Sequence, residues 1–174
     1  MTELISEIEI RALTVDDRNW VALRLEQNWG STRVVSRGCL YYAHTLPGCV
    51  AMHEDQIAGL LTYNIDGDAI EVITLNSFKP GLGVGTSLLE AVRKAALDAE
   101  PAFRRLWLIT TNDNLPALRF YQKRGFEIAT FHRNSVAEAR KLKPEIPLFG
   151  LEGIPIRDEI ELELPLNKAL KSEM

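Results

Sequence analysis

The spacing of apolar residues in this chain changes from alternation to helical periodicity and back. Ile8, Ile10 and Ala12 alternate with Glu7, Glu9 and Arg11, the pattern of a half-buried first strand. Thr14 and Asp17, three residues apart, make a capping pair that opens a helix through Trp20, Leu23 and Leu25, and Gly30 ends it. From Ser31 to Gly48 the polarity is mixed and has no clear period, which predicts helix plus loop. Three strand-like runs follow, Cys49 to His53, Ile57 to Ile65 and Ala69 to Asn76, joined by short polar connections. Asp66 and Gly67 form a hairpin turn signal, so these runs predict an antiparallel meander.

Beyond the meander, Leu88, Leu89, Val92, Ala95 and Ala96 recur at helical spacing from Thr86 onward. Leu106 to Ile109 is continuously apolar, as expected of a strand buried on both faces and parallel to the one before the helix. Such a strand-helix-strand crossover places a ligand at the carboxyl ends of its two strands. A helix from about Asp113 to Arg124 leads into a strand at Phe126 to His132, and Glu159 to Leu164 alternates strictly as a last strand. Between these two strands lies an insertion at about 133–157. There Ser135 with Glu138 caps a short helix that Pro144 stops, and Pro147, Gly150, Gly153 and Pro155 break up the remainder.

A length of 174 residues suits one domain with a real core. The net charge of -4 argues against a general nucleic-acid binder. No apolar run approaches a membrane span, and Glu3 and Glu7 stand where a signal peptide would be basic, so the expected location is cytoplasmic. In that reducing compartment Cys39 and Cys49 are read as free thiols, and no Cys/His cluster has the spacing of metal ligands.

The candidate chemistry begins in the run Lys79 to Thr86, where Gly81, Gly83 and Gly85 lie between strand and helix. Glycines let the backbone N–H groups of such a loop approach a ligand closely. Val84, Gly85 and Thr86 add the unpaired N–H groups of a first helical turn, which suit a phosphate or pyrophosphate. An ordinary strand-to-helix turn explains the glycines equally well when they are taken alone.

A second segment, from Asn114 through Ala117 and Tyr121 to Gly125 and Phe126, decides between them. Together the segments resemble the GNAT superfamily of acetyl-coenzyme A dependent N-acetyltransferases, whose signature is R/Q-x-x-G-x-G/A followed by N-x-x-A-x-x-x-Y-x-x-x-G-F. Pro80, preceded by Lys79, stands where Arg or Gln is usual. The resemblance is specific from about Asp68 to Phe131 and general elsewhere. It implies a single-domain α/β (α+β) fold over 1–174, with a mixed, mostly antiparallel sheet whose central parallel strand pair is flanked by helices. It also implies acetyl-CoA as acetyl donor, no metal, and direct transfer to a primary amine of a small molecule or peptide. Dimers are common in the superfamily, so a homodimer is admitted.

Residue by residue, the resemblance places the CoA pyrophosphate on Gly81, Gly83, Val84, Gly85 and Thr86. It places the pantetheine and the thioester oxygen on the backbone of Ile73, Thr74 and Leu75. Asn114 caps its helix, bonds the cofactor with its amide, or does both. Trp29, Arg33, Ser36 and Arg37 occupy the segment that usually forms the acceptor wall. Arg140, Lys141 and Lys143 attract an acidic acceptor or complement the end of their own helix.

Acetyl transfer needs a neutral amine, and a lysine-like amine with a pKa near ~10.4 is neutral in only about one molecule in a few thousand at pH 7. Some superfamily members carry a carboxylate base on the strand that here holds Glu71, acting through water; a solvated Glu71 beside the turn is the competing reading. Tyr121 is the candidate general acid for the leaving thiolate, against a purely structural core aromatic. His44, His53 and His132 have no partner visible in the sequence, and neither cysteine lies in the two motifs. Two other classes stay open: a non-catalytic CoA binding or sensing module, and a nucleotide-binding protein, although no G-x-x-x-x-G-K-[ST] occurs.

Overall fold

The computed structural model describes residues 7–166, so Glu3 lies outside the described part. Its strands are β1 (Glu9–Ala12), β2 (Arg33–Ser36), β3 (Cys39–Tyr42), β4 (Gly48–His53), β5 (Gln56–Asp66), β6 (Ala69–Ser77), β7 (Arg105–Thr111), β8 (Glu127–His132) and β9 (Glu159–Pro165). Its helices are α1 (Arg18–Trp29), α2 (Val84–Asp98), α3 (Leu115–Gln122) and α4 (Val136–Leu142). Seven strands form one sheet in the order β1-β4-β5-β6-β7-β9-β8, and β2 and β3 pair separately. Only β6 and β7 run parallel; the other neighbours are antiparallel. This is the mixed sheet with a central parallel pair that the sequence predicts.

Each face of the sheet buries a different set of residues. Ile70, Val72, Leu106, Leu108, Ile160 and Leu162 turn to one face, under Leu88, Leu89 and Val92 of α2 and Tyr121 of α3. Leu60 and Ile73 turn to the other, where Val21 and Leu25 of α1 pack with Val34 and Tyr41. The alternation of β9 follows from this division, because Glu159, Glu161 and Glu163 must point away from the face that holds Ile160 and Leu162.

The expected start and stop signals operate locally. The Thr14 backbone N–H donates to Asp17 Oδ2 at 2.8 Å, and Gly30 ends α1 at a left-handed φ of 71°. Asn114 Oδ1 accepts from the Ala117 N–H at 3.2 Å and Pro116 occupies the first turn of α3, so the capping role of Asn114 holds. Ser135 does not cap α4 with its side chain; its Oγ accepts instead from the Glu159 N–H at 3.1 Å.

The stretch from Ser31 to Gly48 corrects the sequence reading. It is a hairpin of β2 and β3 followed by a short 3-10 turn at Ala43–Thr45, not helix plus loop. Strands of four residues are too short to display a period. Arg37 and Gly38, both at positive φ (47° and 74°), form the two-residue turn that twists with its flanking strands.

One feature of the sheet prepares the site. The pairing of β6 with β7 runs from Ala69 opposite Arg105 to Val72 opposite Leu108 and stops there, although β6 continues to Ser77 and β7 to Thr111. The two strands therefore part at their carboxyl ends. Thr74 and Leu75 still pair with Thr62 and Leu61 of β5, which leaves the β7-side edge of this part of β6 open.

Candidate active site

A cavity of about 580 Å³ lies between the Gly-rich loop and α3. Gly81 and Gly83 adopt left-handed φ values of 83° and 72°, and a Cβ at either would meet nothing within 4 Å. Glycine is required there by backbone conformation, and the space beside it is open to a ligand. Ser87 makes the first bond into α2, to Gly83 O at 3.0 Å, so the N–H groups of Val84, Gly85 and Thr86 belong to the unspent first turn. At Gly85 the requirement is different. A Cβ there would come within 2.9 Å of Phe120 Cζ, so the glycine lets α2 and α3 close together. These are fitting surroundings for a pyrophosphate.

Arg124, which is not among the candidates drawn from the sequence, flanks the same cavity. Its Nε donates to Thr86 Oγ1 at 2.8 Å and its Nη1 to Phe120 O at 2.7 Å, while the guanidinium lies 3.6 Å from the centre of the Phe120 ring. The chain thus carries a fixed cation beside a loop that has Pro80 in place of the usual Arg or Gln. The one signal for it in the sequence is its position directly before Gly125 in the second motif.

Tyr121 stands in the core and in the cavity wall at once. Its ring meets Phe120 and Phe126 edge-on at 5.1 and 5.4 Å within the core, and the residue also lines the cavity. Only 8% of it is exposed, and burial pushes the phenol well above its ordinary value, so it carries its proton throughout the neutral range.

A smaller cavity of about 160 Å³ lies on the other face of the sheet, lined by Trp29, Val34, Ser36, Glu71, Ile73 and Glu159 among others. Glu71 is 2% exposed, which excludes a solvated carboxylate at the strand's start. Ser36 Oγ donates to its Oε1, and the Tyr41 hydroxyl donates to its Oε2 at 3.1 Å. Burial raises the Glu71 pKa; the two hydrogen bonds and the nearby charge of Arg37 oppose that rise without cancelling it. Asn114, just beyond the end of β7, lines both cavities, so the two are neighbours across this one residue.

The sequence profile of the Acetyltransferase (GNAT) family matches residues 10–126 of this chain. The chain belongs to the GNAT family. Acetyl transfer is therefore its class of chemistry, and acetyl-CoA its expected donor. The uncharacterized protein YxbD of Bacillus subtilis (strain 168) is 42% identical over 146 residues, spanning 83% of this chain and 91% of that protein. Solved GNAT-fold neighbours include a Bacillus subtilis acetyltransferase in complex with CoA, with 20% identity and a TM-score of 0.62 over 93% of this chain and 99% of that one. Arabidopsis thaliana Naa50 in complex with the bisubstrate analogue CoA-Ac-MVNAL is 18% identical, with a TM-score of 0.64 over 90% of this chain and 97% of that one. These two neighbours speak for the fold.

Within this GNAT fold, the four expected acceptor-wall residues separate. Trp29 and Ser36 line the smaller cavity. Arg33 is ion-paired with Glu145 instead, and Arg37 lies over the Trp107 ring at 5.5 Å and pairs with Glu161 at 3.4 Å. Tyr41 has no signal in the sequence, because its role depends on a hairpin that the polarity pattern does not show. The insertion buttresses this side of the site. Lys143 Nζ donates to Arg33 O at 2.7 Å, and the Leu151 N–H donates to Asp113 Oδ2 at 3.1 Å, directly before Asn114. Arg140 donates to the carbonyls of Ile146, Pro147 and Ile156, and Lys141 pairs with Glu138, so these cations serve the insertion's own structure.

Proposed function

We propose that this protein transfers an acetyl group from acetyl-CoA to a primary amine of a small molecule or peptide by direct attack, with both substrates bound at once. The observation that carries the reading is that two neighbouring cavities share Asn114 in their walls, beside the open backbone edge of β6. Acetyl-CoA supplies the thioester. The N–H groups of Gly81, Gly83, Val84, Gly85 and Thr86 hold its pyrophosphate, with Arg124 adding charge. The open edge at Ile73, Thr74 and Leu75 takes the pantetheine and offers an N–H to the thioester oxygen, where negative charge develops during attack.

The amine nitrogen bonds to the carbonyl carbon and the carbon-sulfur bond breaks. Glu71 takes the amine's proton, relayed by solvent in the small cavity, and Tyr121 donates a proton to the thiolate. A phenol raised by burial is a poorer acid in water. Here the thiolate forms beside it in the same desolvated groove, where burial raises the thiol as well and narrows the gap between them. On the acceptor side, the raised Glu71 is a stronger base than a solvated carboxylate once ionised. Cys49 is no nucleophile in this scheme, since burial pushes its thiol up to about 12 and it lies outside both motifs.

Calorimetric titration with acetyl-CoA, followed by an amine panel read by product mass, tests the reading. The expected result is saturable binding and products heavier by one acetyl group. Binding without transfer to any amine would favour a non-catalytic CoA module.

A further inference from the structure

Strand β9 sends three carboxylates, Glu159, Glu161 and Glu163, to the face of the sheet that holds the smaller cavity. Two of them are neutralised. Arg105 Nη1 lies 3.1 Å from Glu161 and 2.6 Å from Glu163, and Arg37 lies 3.4 Å from Glu161. Glu159 differs from both. It is 4% exposed and lines the cavity, yet among the described residues no hydrogen bond or ion pair holds its carboxylate. A carboxylate that lines a cavity with no protein partner is free to accept from a cationic ligand that enters it.

That counter-charge is not the reacting nitrogen. Register places Glu71 opposite Trp107 and Trp107 opposite Glu163, while Glu159 lies opposite Thr111. Four residues along the strand at ~3.3 Å each and two strands across at ~4.8 Å each put the two backbones about 16 Å apart. One ammonium cannot hydrogen-bond to both carboxylates, and the attacking nitrogen must be neutral and within relay distance of Glu71.

We propose that Glu159 is a subsite for a second, protonated nitrogen of the acceptor, which makes the preferred acceptor a small diamine. This rests on the N-acetyltransferase reading above and names the substrate class of the same site. A cavity of about 160 Å³ is well below the size that encloses drug-sized ligands and suits a short flexible chain. The Glu159 carboxylate holds the distal ammonium by a charge-assisted hydrogen bond, and the proximal amine is left to react.

The test compares 1,4-diaminobutane with 1-aminopentane as acceptors, using the full-length protein and its Glu159→Gln variant. The charge-assisted contact predicts a KM for the diamine lower by about ten- to a hundredfold than for the monoamine, with most of that advantage lost in Glu159→Gln through KM rather than kcat. Equal KM values for the two amines in the unmodified protein overturn the proposal without recourse to any variant. A discrimination that survives Glu159→Gln, or a peptide N-terminus preferred over both amines, also overturns it. Calorimetry with the diamine in the presence of CoA separates the two failures. Transfer to both amines with equal KM sinks the diamine subsite alone. No transfer to any amine, with diamine binding that still depends on Glu159, sinks the transferase reading and leaves the subsite standing.

Discussion

Of the two cavities that share Asn114, the larger joins backbone features, namely left-handed glycines, the first turn of α2 and the open edge of β6, to the side chains of Phe120, Tyr121 and Arg124. The smaller is shaped by side chains from the end of α1, the β2-β3 hairpin, β6, β7 and β9. A donor common to a whole family can be held largely by groups that every residue possesses, so backbone conformation is much of what has to be encoded there. The acceptor side has to distinguish one amine from another, and only side chains can do that.

This contrast also governs what can be read from the chain. Gly81, Gly83, Asn114 and Tyr121 stand at fixed intervals within continuous segments, so the proposed donor groove is legible in the sequence. The polarity pattern likewise shows the meander, the crossover and the alternation of β9. The smaller cavity, the proposed acceptor site, depends on contacts far apart in sequence. Ser36 and Tyr41 reach Glu71 across 35 and 30 residues, and nothing in the local pattern around any of the three announces the meeting. The turn at Arg37 and Gly38 is the one local signal, and it lies between strands too short to show alternation. The same holds for Glu159, whose strand the alternation predicts but whose lack of a partner depends on where Arg37 and Arg105 go.

The contrast can be broken most severely at the reacting centre. Tyr121→Phe should lower kcat by about a hundredfold or more, as loss of a general acid does, with the acetyl-CoA Kd measured by calorimetry little changed. An unaltered kcat with the true acceptor removes Tyr121 from the chemistry and leaves it a core aromatic.

Glu71→Gln should lower kcat by about ten- to a hundredfold and remove the acidic limb of the pH-rate profile. In the parent protein activity should rise with pH through the raised Glu71 pKa. The stability effect has the opposite sign. A carboxyl whose folded pKa exceeds its unfolded one favours the fold fully below the unfolded value, and this contribution is lost as pH rises through the folded value. Near neutral pH the Gln variant should therefore melt no lower than the parent, as a thermal melt would check. A matching pH profile would retire Glu71 as the base.

On the donor side, Gly83→Ala forces a side chain into a left-handed φ and puts a methyl group into the phosphate space, so the acetyl-CoA Kd should rise by about tenfold. The amine KM measured at saturating donor should stay near its parent value. A shift in the amine KM equal to that in the donor Kd would erase the distinction between a backbone-built and a side-chain-built half.

The smallest effect is expected at Tyr41→Phe, which removes one donor from the Glu71 carboxylate. The acidic limb should move upward by about one pH unit, the size expected for one hydrogen bond to a charged group, with a several-fold loss of rate at pH 6. An unmoved limb would mean that the Tyr41 contact does not tune the base.

The most direct test of two half-sites working in one complex is an initial-rate study with acetyl-CoA and the amine varied together. Direct transfer between the neighbouring cavities predicts double-reciprocal lines that intersect, the signature of both substrates bound before any product leaves. Parallel lines, with an acetylated enzyme trapped in the absence of amine, would contradict the account and place the acetyl group on the protein between two separate half-reactions.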